Sequence, residues 1–535
     1  MNRSTLSLLA AATALAALTG VATFTAPAPD AATAAGAAPA RLPVERSSLL
    51  CPAPSSSEVA ETTYTSFTPG AGDAPGGTAP GTGGAGGAKV PDLAELKPSA
   101  AVQDTTAAPG KADARKADKP ADTADAAAAK KPPAAEKAVL TATAPGKPVA
   151  AQADGADAPA LIGVASGRLA PGWTTQQTTL VPAGGARGLL GVGCSAPDTA
   201  FWFPGTSTAE NRRDYVHLTN PDDSAAVVDV ELFGPEGPLK SQLTDGIPVP
   251  ARSSVPVLLS TLTADPATSD VTVHVTTRSG RVGAVVRSAV DQLGSDWLPA
   301  SADPAGTLVL PGIPADATSV QLIAYTPGED DAEMRIQLVG ATGTITPAVQ
   351  ETIRVKSRMT ASADLKGLTN GEAGALLLTP AQKSRATPVV AALRVIRGSG
   401  EKQEVAFIPA TGPVGEQATV ADNRAKGTTL SLTAPAGAAE VEVTASAGTE
   451  GGTPTTKTYT VKAGTTLSVT PPVPAGLKGS YALTVRTVSG GPVHAARMLA
   501  LPQDGIAMFT VQTLADDRGR VAVPRAQQDL SVLED

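Results

Sequence analysis

Apolar and polar residues alternate with a period of two along much of this chain. The pattern is clear in Val228-Asp-Val-Glu-Leu232, Val271-Thr-Val-His-Val275, Met334-Arg-Ile-Gln-Leu338 and Leu483-Thr-Val-Arg486. Such alternation predicts strands with one face buried. Gly, Pro, Asp and Ser separate these runs, which is turn chemistry. Three landmarks recur in fixed order. The first is a short apolar strand reaching a proline, at 201–204, 308–311 and 406–409. The second is a strand, a proline turn (Pro221, Pro327, Pro435) and an alternating strand. The third is a late strand carrying Arg287, Arg394 or Arg497. The spacing gives a period of about a hundred residues, too long for a solenoid and right for one β-sandwich.

The expected fold is all-β: tandem immunoglobulin- or fibronectin-like β-sandwich modules at 199–300, 301–400 and 401–515, then a tail at 516–535. Segments 44–68 and 159–198 read as a partial N-terminal β-module split by an insert. The insert, 69–158, is rich in Ala, Gly, Pro and Lys. It carries too little apolar surface to offset its ordering entropy, so disorder is expected there. Residues 1–26 hold Arg3, a Leu- and Ala-rich run and small residues, the pattern of a secretory signal. A retained membrane anchor is the alternative, because the run from Leu6 to Phe24 is just long enough to span.

Export changes the reading of the two cysteines. Cys51 and Cys194 each follow an apolar stretch. In an oxidising compartment two cysteines usually pair, so a Cys51–Cys194 disulfide is expected. Aromatics are 3% of the chain, so cores of Val, Leu, Ile and Ala are expected. The net charge of −8 argues against nucleic acid as a partner.

Chemistry is sparse. His217, His274 and His494 occupy unlike repeat positions, and no metalloprotease, nucleophile-elbow or phosphate-loop motif is present. The reading is therefore a non-enzyme with no cofactor and no metal. The acidic turns at Asp222-Asp223 and Glu329-Asp-Asp331 read as solubilising, with calcium as the alternative. Arg287, Arg394 and Arg497 read as strand residues snorkelling at a sandwich edge. Their alternative role is a row of cations for an anionic polymer. Trp173, Trp202 and Trp297 read as packing or turn anchors.

Several blocks stand out together: Leu50-Cys-Pro52, Cys194-Ser-Ala-Pro197 with Trp202-Phe-Pro-Gly205, Tyr215-Val-His-Leu-Thr-Asn-Pro-Asp222 leading to Val227-Val-Asp-Val-Glu-Leu232, and the ending from Val523-Pro524 through Asp529-Leu-Ser-Val532. In these blocks the chain resembles a family of exported actinobacterial proteins of unknown function, DUF5719. The resemblance implies an envelope or secreted location and no catalytic residues. The expected function is a structural, adhesive or partner-binding envelope protein, contacting cell-wall glycan or an envelope protein. Alternatives are a secreted hydrolase and a membrane-anchored accessory subunit of a wall-glycan assembly system.

Overall fold

The computed structural model describes residues 40–70, 91–101 and 137–523, save 349 and 383. The leader or anchor at 1–26 lies outside them, as do 71–90 and 102–136 of the insert and 524–535 of the tail. Among the described residues, helical structure is limited to three 3₁₀ turns, and no helix is long and apolar enough to cross a membrane.

Residues Val44–Gly519 form one compact unit containing four modules, each built on eight recurring strands; five further short strands (Ala100–Ala101, Gly237–Pro238, Thr344–Ile345, Gly451–Thr453 and Ala475–Lys478) lie outside that scheme. The N-terminal module has β1 (Arg46–Cys51), β2 (Glu61–Phe67), β3 (Leu93–Pro98), β4 (Leu140–Ala142), β5 (Val149–Asp154), β6 (Leu161–Ser166), β7 (Thr174–Val181) and β8 (Gly188–Gly193). Module 1 has β9 (Ala200–Thr206), β10 (Arg212–Thr219), β11 (Ala226–Gly234), β12 (Ile247–Val249), β13 (Ser253–Leu258), β14 (Val271–Ser279), β15 (Gly283–Val290) and β16 (Gly294–Leu298). Module 2 has β17 (Leu308–Ile313), β18 (Ala317–Tyr325), β19 (Ala332–Val339), β20 (Thr352–Val355), β21 (Thr360–Asp364), β22 (Gly374–Pro380), β23 (Val390–Arg397) and β24 (Glu404–Pro409). Module 3 has β25 (Ala418–Asn423), β26 (Thr428–Ala434), β27 (Ala439–Gly448), β28 (Thr455–Val461), β29 (Thr465–Val469), β30 (Tyr481–Gly490), β31 (His494–Ala500) and β32 (Phe509–Leu514).

Every module repeats one pairing scheme. Its first sheet runs first-sixth-third-fourth strand, and its second sheet runs eighth-seventh-second-fifth, as in β9-β14-β11-β12 and β16-β15-β10-β13. These pairs are all antiparallel. The order departs from the immunoglobulin scheme, in which the last strand lies beside the sixth. Here the first strand takes that place and the seventh crosses to the second. Alternation does what it predicts: Val228, Val230 and Leu232 are buried while Glu231 is exposed. Pro204 and Pro311 do not end their strands. Each sits at a bulge on an edge strand, where its missing donor costs no ladder bond.

Three sequence expectations need correction. The N-terminal module is complete rather than partial, because β3, β4 and β5 lie inside the segment 69–158 expected to be disordered. Ala94, Leu96, Leu140 and Ala142 from that segment are buried. Their short alternation was submerged in the Ala-rich composition around it. Second, Ala406-Phe-Ile-Pro409 closes module 2 as β24 instead of opening module 3, whose first strand is β25. The boundary between residues 400 and 401 therefore falls too early. Third, the landmark arginines are not equivalent. Val216 faces Val286 and Leu322 faces Leu393 across the second sheets of modules 1 and 2, each five residues before its turn proline. In module 3 the same place is Leu430 facing Arg497. A one-residue register shift turns a side chain to the other face. Arg497 thus points into its sandwich, while Arg287 and Arg394 lie on the outer face, where module 3 has Met498.

The modules close into a ring. The outer face of each second sheet packs on the preceding module. Val285 and Trp297 of module 1 join Val181, Leu190 and Val192 of the N-terminal module. Ala392, Ile396 and Phe407 of module 2 join the core of module 1. Ala496, Phe509 and Val511 of module 3 join the core of module 2. Leu189 of the N-terminal module then packs with Leu499 and Met508 of module 3, and Phe67 packs with Ala421 and Ala482. The ends of the unit also meet, with Val44 N donating to Gly519 O at 3.0 Å. The Cys51–Cys194 disulfide, linking residues 143 apart, ties β1 to the segment after β8. Its removal costs about 2–5 kcal/mol by the usual range for such bonds. Separately, Ala40–Pro43 and Arg520–Val523 pair as an antiparallel two-stranded ribbon.

Candidate functional site

Two places gather polar groups from several modules. The first is the ring axis, where the eighth strands β8, β16, β24 and β32 converge. Asp296 on β16 is fully buried. Its Oδ1 accepts from Gly191 N at 3.0 Å and Trp297 N at 2.8 Å, and Thr510 Oγ1 donates to Oδ2 at 2.9 Å. One carboxyl therefore joins the N-terminal module, module 1 and module 3. Glu404 opens β24 and is also buried. It accepts from Leu189 N at 3.3 Å and lies 3.8 Å from Arg187 Nη2. Arg187 itself donates to Gln403 O at 2.6 Å. Two glycines make room for the Glu404 carboxyl. A Cβ on Gly188 would sit 2.9 Å from its Oε1, and one on Gly294 would sit 2.8 Å from its Oε2.

Burial raises the Asp296 carboxyl well above the ordinary range, against the pull of its donors, and the nearby Glu404 adds to the rise. Burial likewise pushes Glu404 up to about 8, with Arg187 and Leu189 N opposing. Desolvation dominates at both groups because removing a carboxylate from water costs more than a few hydrogen bonds return.

The second place is a cavity of about 800 Å³ at the seam between the N-terminal module and module 3. It lies over the outer face of the second sheet of the N-terminal module. Cross-strand partners Glu61 and Asp154, Thr63 and Thr178, and Leu180 and Leu189 line it. Glu58 also lines it, and Arg424 comes from module 3. The other three seams carry an aromatic from the eighth strand: Trp297, Phe407 or Phe509. The sequence of β8, Gly188-Leu-Leu-Gly-Val-Gly193, has none. At the place that matches Trp297 and Phe407, Gly191 lies close against Thr510 and Gln512 of module 3, and the cavity is lined by other residues of the sheet. The size is within the ~300–1,000 Å³ typical of ligand sites, and such sites favour domain junctions.

The structure scatters the residues singled out from sequence. Arg287 lies against the Tyr215 ring, 5.6 Å from its centroid. Arg394 stands on the face of module 2 that packs on module 1. Arg497 is wholly buried; it donates to Ala421 O at 3.1 Å, and burial lowers its guanidinium to about 10. They do not form an exposed row, so the anionic-polymer contact loses its geometric basis. His217 is buried against Trp297 in an edge-on contact at 5.2 Å. Burial, then the Arg287 charge, holds it well below the usual histidine range. His274 stacks on Trp202 at 3.6 Å between ring centroids and lies 3.3 Å from Glu231. His494 faces Thr411 O at 3.1 Å. Trp173 donates to Ser66 Oγ at 2.8 Å within the N-terminal module.

The acidic turns are ion-paired: Asp222 with Arg281, Asp223 with Arg252, and Asp331 with Arg354. Among the described residues no group of three or more His, Cys, Asp or Glu is arranged to hold a metal ion. Neither Asp296 nor Glu404 nor the seam residues stand out in the sequence reading. The usable signal was an acidic residue inside an apolar strand, since such a residue must find donors when buried.

A family model described as a family of unknown function, DUF5719, matches residues 149–472, from β5 into module 3. No curated protein matches the chain.

Proposed function

Since the chain belongs to DUF5719, a family of unknown function, we propose that it is an exported, non-catalytic binding scaffold of the cell envelope. Ring closure carries this reading. Each of the four like modules packs on its neighbours, a disulfide fastens the first module, and the seam cavity lies between the first and last modules. Such a body suits recognition by preorganised surfaces, because little freedom is lost on binding. The disulfide suits an oxidising compartment, which supports export. Buried polar groups such as Asp296 and Glu404 serve cohesion in this reading, and the partner is wall glycan or an envelope protein.

Co-sedimentation of the full chain with purified cell wall, together with crosslinking in intact cells, tests this. Retention on the wall at moderate salt, or a specific crosslinked envelope protein, is the expected result. Free protein in both assays overturns the scaffold reading.

A further inference from the structure

Among the described residues the fourth strand of each module lies at the edge of its first sheet and pairs with the third strand alone. Such an edge leaves backbone donors and acceptors open to a further strand. In three modules the edge is short: β4 and β12 have three residues each, with Pro248 in β12, and β20 has four. Short edges and edge prolines guard against edge-to-edge pairing. Module 3 departs from this. Its β28 has seven residues, Thr455-Thr-Lys-Thr-Tyr-Thr-Val461, with no proline. The register against β27 runs from Thr455 opposite Ala445 to Val461 opposite Ala439 without a bulge. Threonine and valine there favour an extended strand. On the same edge Ala475–Lys478 covers Gly451–Thr453, and Thr455–Val461 is left open.

A second observation concerns the side chains. Alternation places Thr456, Thr458 and Thr460 on the outer face, all exposed, while Tyr459 and Val461 join the module 3 core. The outer face already uses a threonine pair, since Thr444 Oγ1 on β27 and Thr456 Oγ1 on β28 are hydrogen-bonded at 3.0 Å. Lys457 is the one charged residue of the strand, and its Nζ lies 4.8 Å from the Tyr459 ring centroid. The strand is self-complementary in one register. When two copies meet antiparallel, the alignment that uses all seven residues sets Thr458 opposite its own copy, Thr456 opposite Thr460 and Lys457 opposite Tyr459. Threonine then faces threonine along the outer face, which is a favourable cross-strand pair. A lysine commonly guards an edge, but in this alignment it meets an aromatic ring and not another lysine.

We propose that β28 is a dimerisation edge, which joins two copies of this chain in one continuous antiparallel sheet about a two-fold axis at Thr458. The contact is isologous, so it closes at two copies and does not propagate into a filament. The dimer displays every other face of the ring twice on one body. This inference is independent of the binding-scaffold reading.

Sedimentation equilibrium of the full oxidised chain over a concentration series tests it. The expected result is a reversible monomer–dimer equilibrium with nothing larger. Thr458→Lys changes an exposed side chain and puts two lysines opposite each other on the axis; it should weaken the dimer at least about tenfold. Thr458→Cys should yield a disulfide-linked dimer on mild oxidation, because residues directly opposite in an antiparallel pair lie within disulfide reach. Glu440→Cys, exposed on the neighbouring β27, should yield none. Thermal melts verify that each variant is folded. A chain that stays monomeric at every concentration, or one that grows past the dimer, overturns the proposal. So does a dimer that Thr458→Lys leaves intact, or crosslinking through Glu440→Cys equal to that through Thr458→Cys. A monomeric chain whose Thr458→Cys variant instead captures another protein in cells overturns it too, and gives the edge to that protein's strand. Wall retention by the Thr458→Lys chain is read separately, so failure here leaves the scaffold reading as it was.

Discussion

The seam between modules 1 and 2 and the seam between module 3 and the N-terminal module are built from the same faces of the same sheets. The first is filled: Phe407 is fully buried among residues of the module 1 core, and the Arg212 guanidinium lies 5.6 Å from its ring centroid. At the second, the matching place is Gly191, close against Thr510 and Gln512, and a cavity lies elsewhere on the same sheet. A repeated interface can thus be closed by an aromatic at one seam and by close backbone approach at another. Carboxylates divide the same way. Asp296 and Glu404 are buried and take backbone donors, whereas Glu58, Glu61 and Asp154 are exposed to solvent and have no ion-pair partner among the described residues.

The comparison breaks most visibly at the filled seam. Phe407→Ala should open a void there and destabilise the ring by about 3–5 kcal/mol, read from the urea midpoint. An unchanged midpoint would mean that the seam aromatics do not hold the modules. Asp296→Leu should cost about 3 kcal/mol, because three donors lose their acceptor. Asp296→Asn should be milder, since it keeps an acceptor oxygen.

Glu404 gives a pH signature. Its folded value, about 8, lies above the unfolded 4.5. The folded state therefore holds the proton more tightly, and stability falls as pH rises from 4.5 towards 8. The slope is at most about 1.4 kcal/mol per pH unit. Glu404→Gln should flatten that part of the profile. His217 acts at the other end. Its folded value is depressed, so stability is lost as pH falls below the ordinary 6.5. The smallest effect is at the open seam: Glu61→Gln should raise stability by a few tenths of a kcal/mol by relieving the repulsion from Asp154. A loss instead would show that Glu61 has a structural partner.

Strand pattern and period were legible because alternation and proline turns are local, so the all-β class and three of the repeats could be read from short runs. The fourth module could not. Its β3, β4 and β5 are short and flanked by Ala- and Pro-rich sequence, and they become strands through pairing, β3 with β6, β4 with β3 and β5 with β2. The disulfide was legible from export logic and is present. Arg497 shows the limit of matching motifs by spacing: a one-residue offset moved it from the outer face to the interior. The axis and the seam cavity were invisible because ring closure brings together residues as far apart as Gly191, Asp296 and Thr510, and no local signal encodes closure.

Closure also sets an order in time. During synthesis the N-terminal module emerges first and module 3 last, and domains generally fold in that order. The seam cavity needs both, since Glu61 and Arg424 line it together. A chain released before module 3 is complete therefore lacks that cavity, however well its earlier modules have folded. Only the finished molecule presents it, so the architecture carries its own certificate of completion.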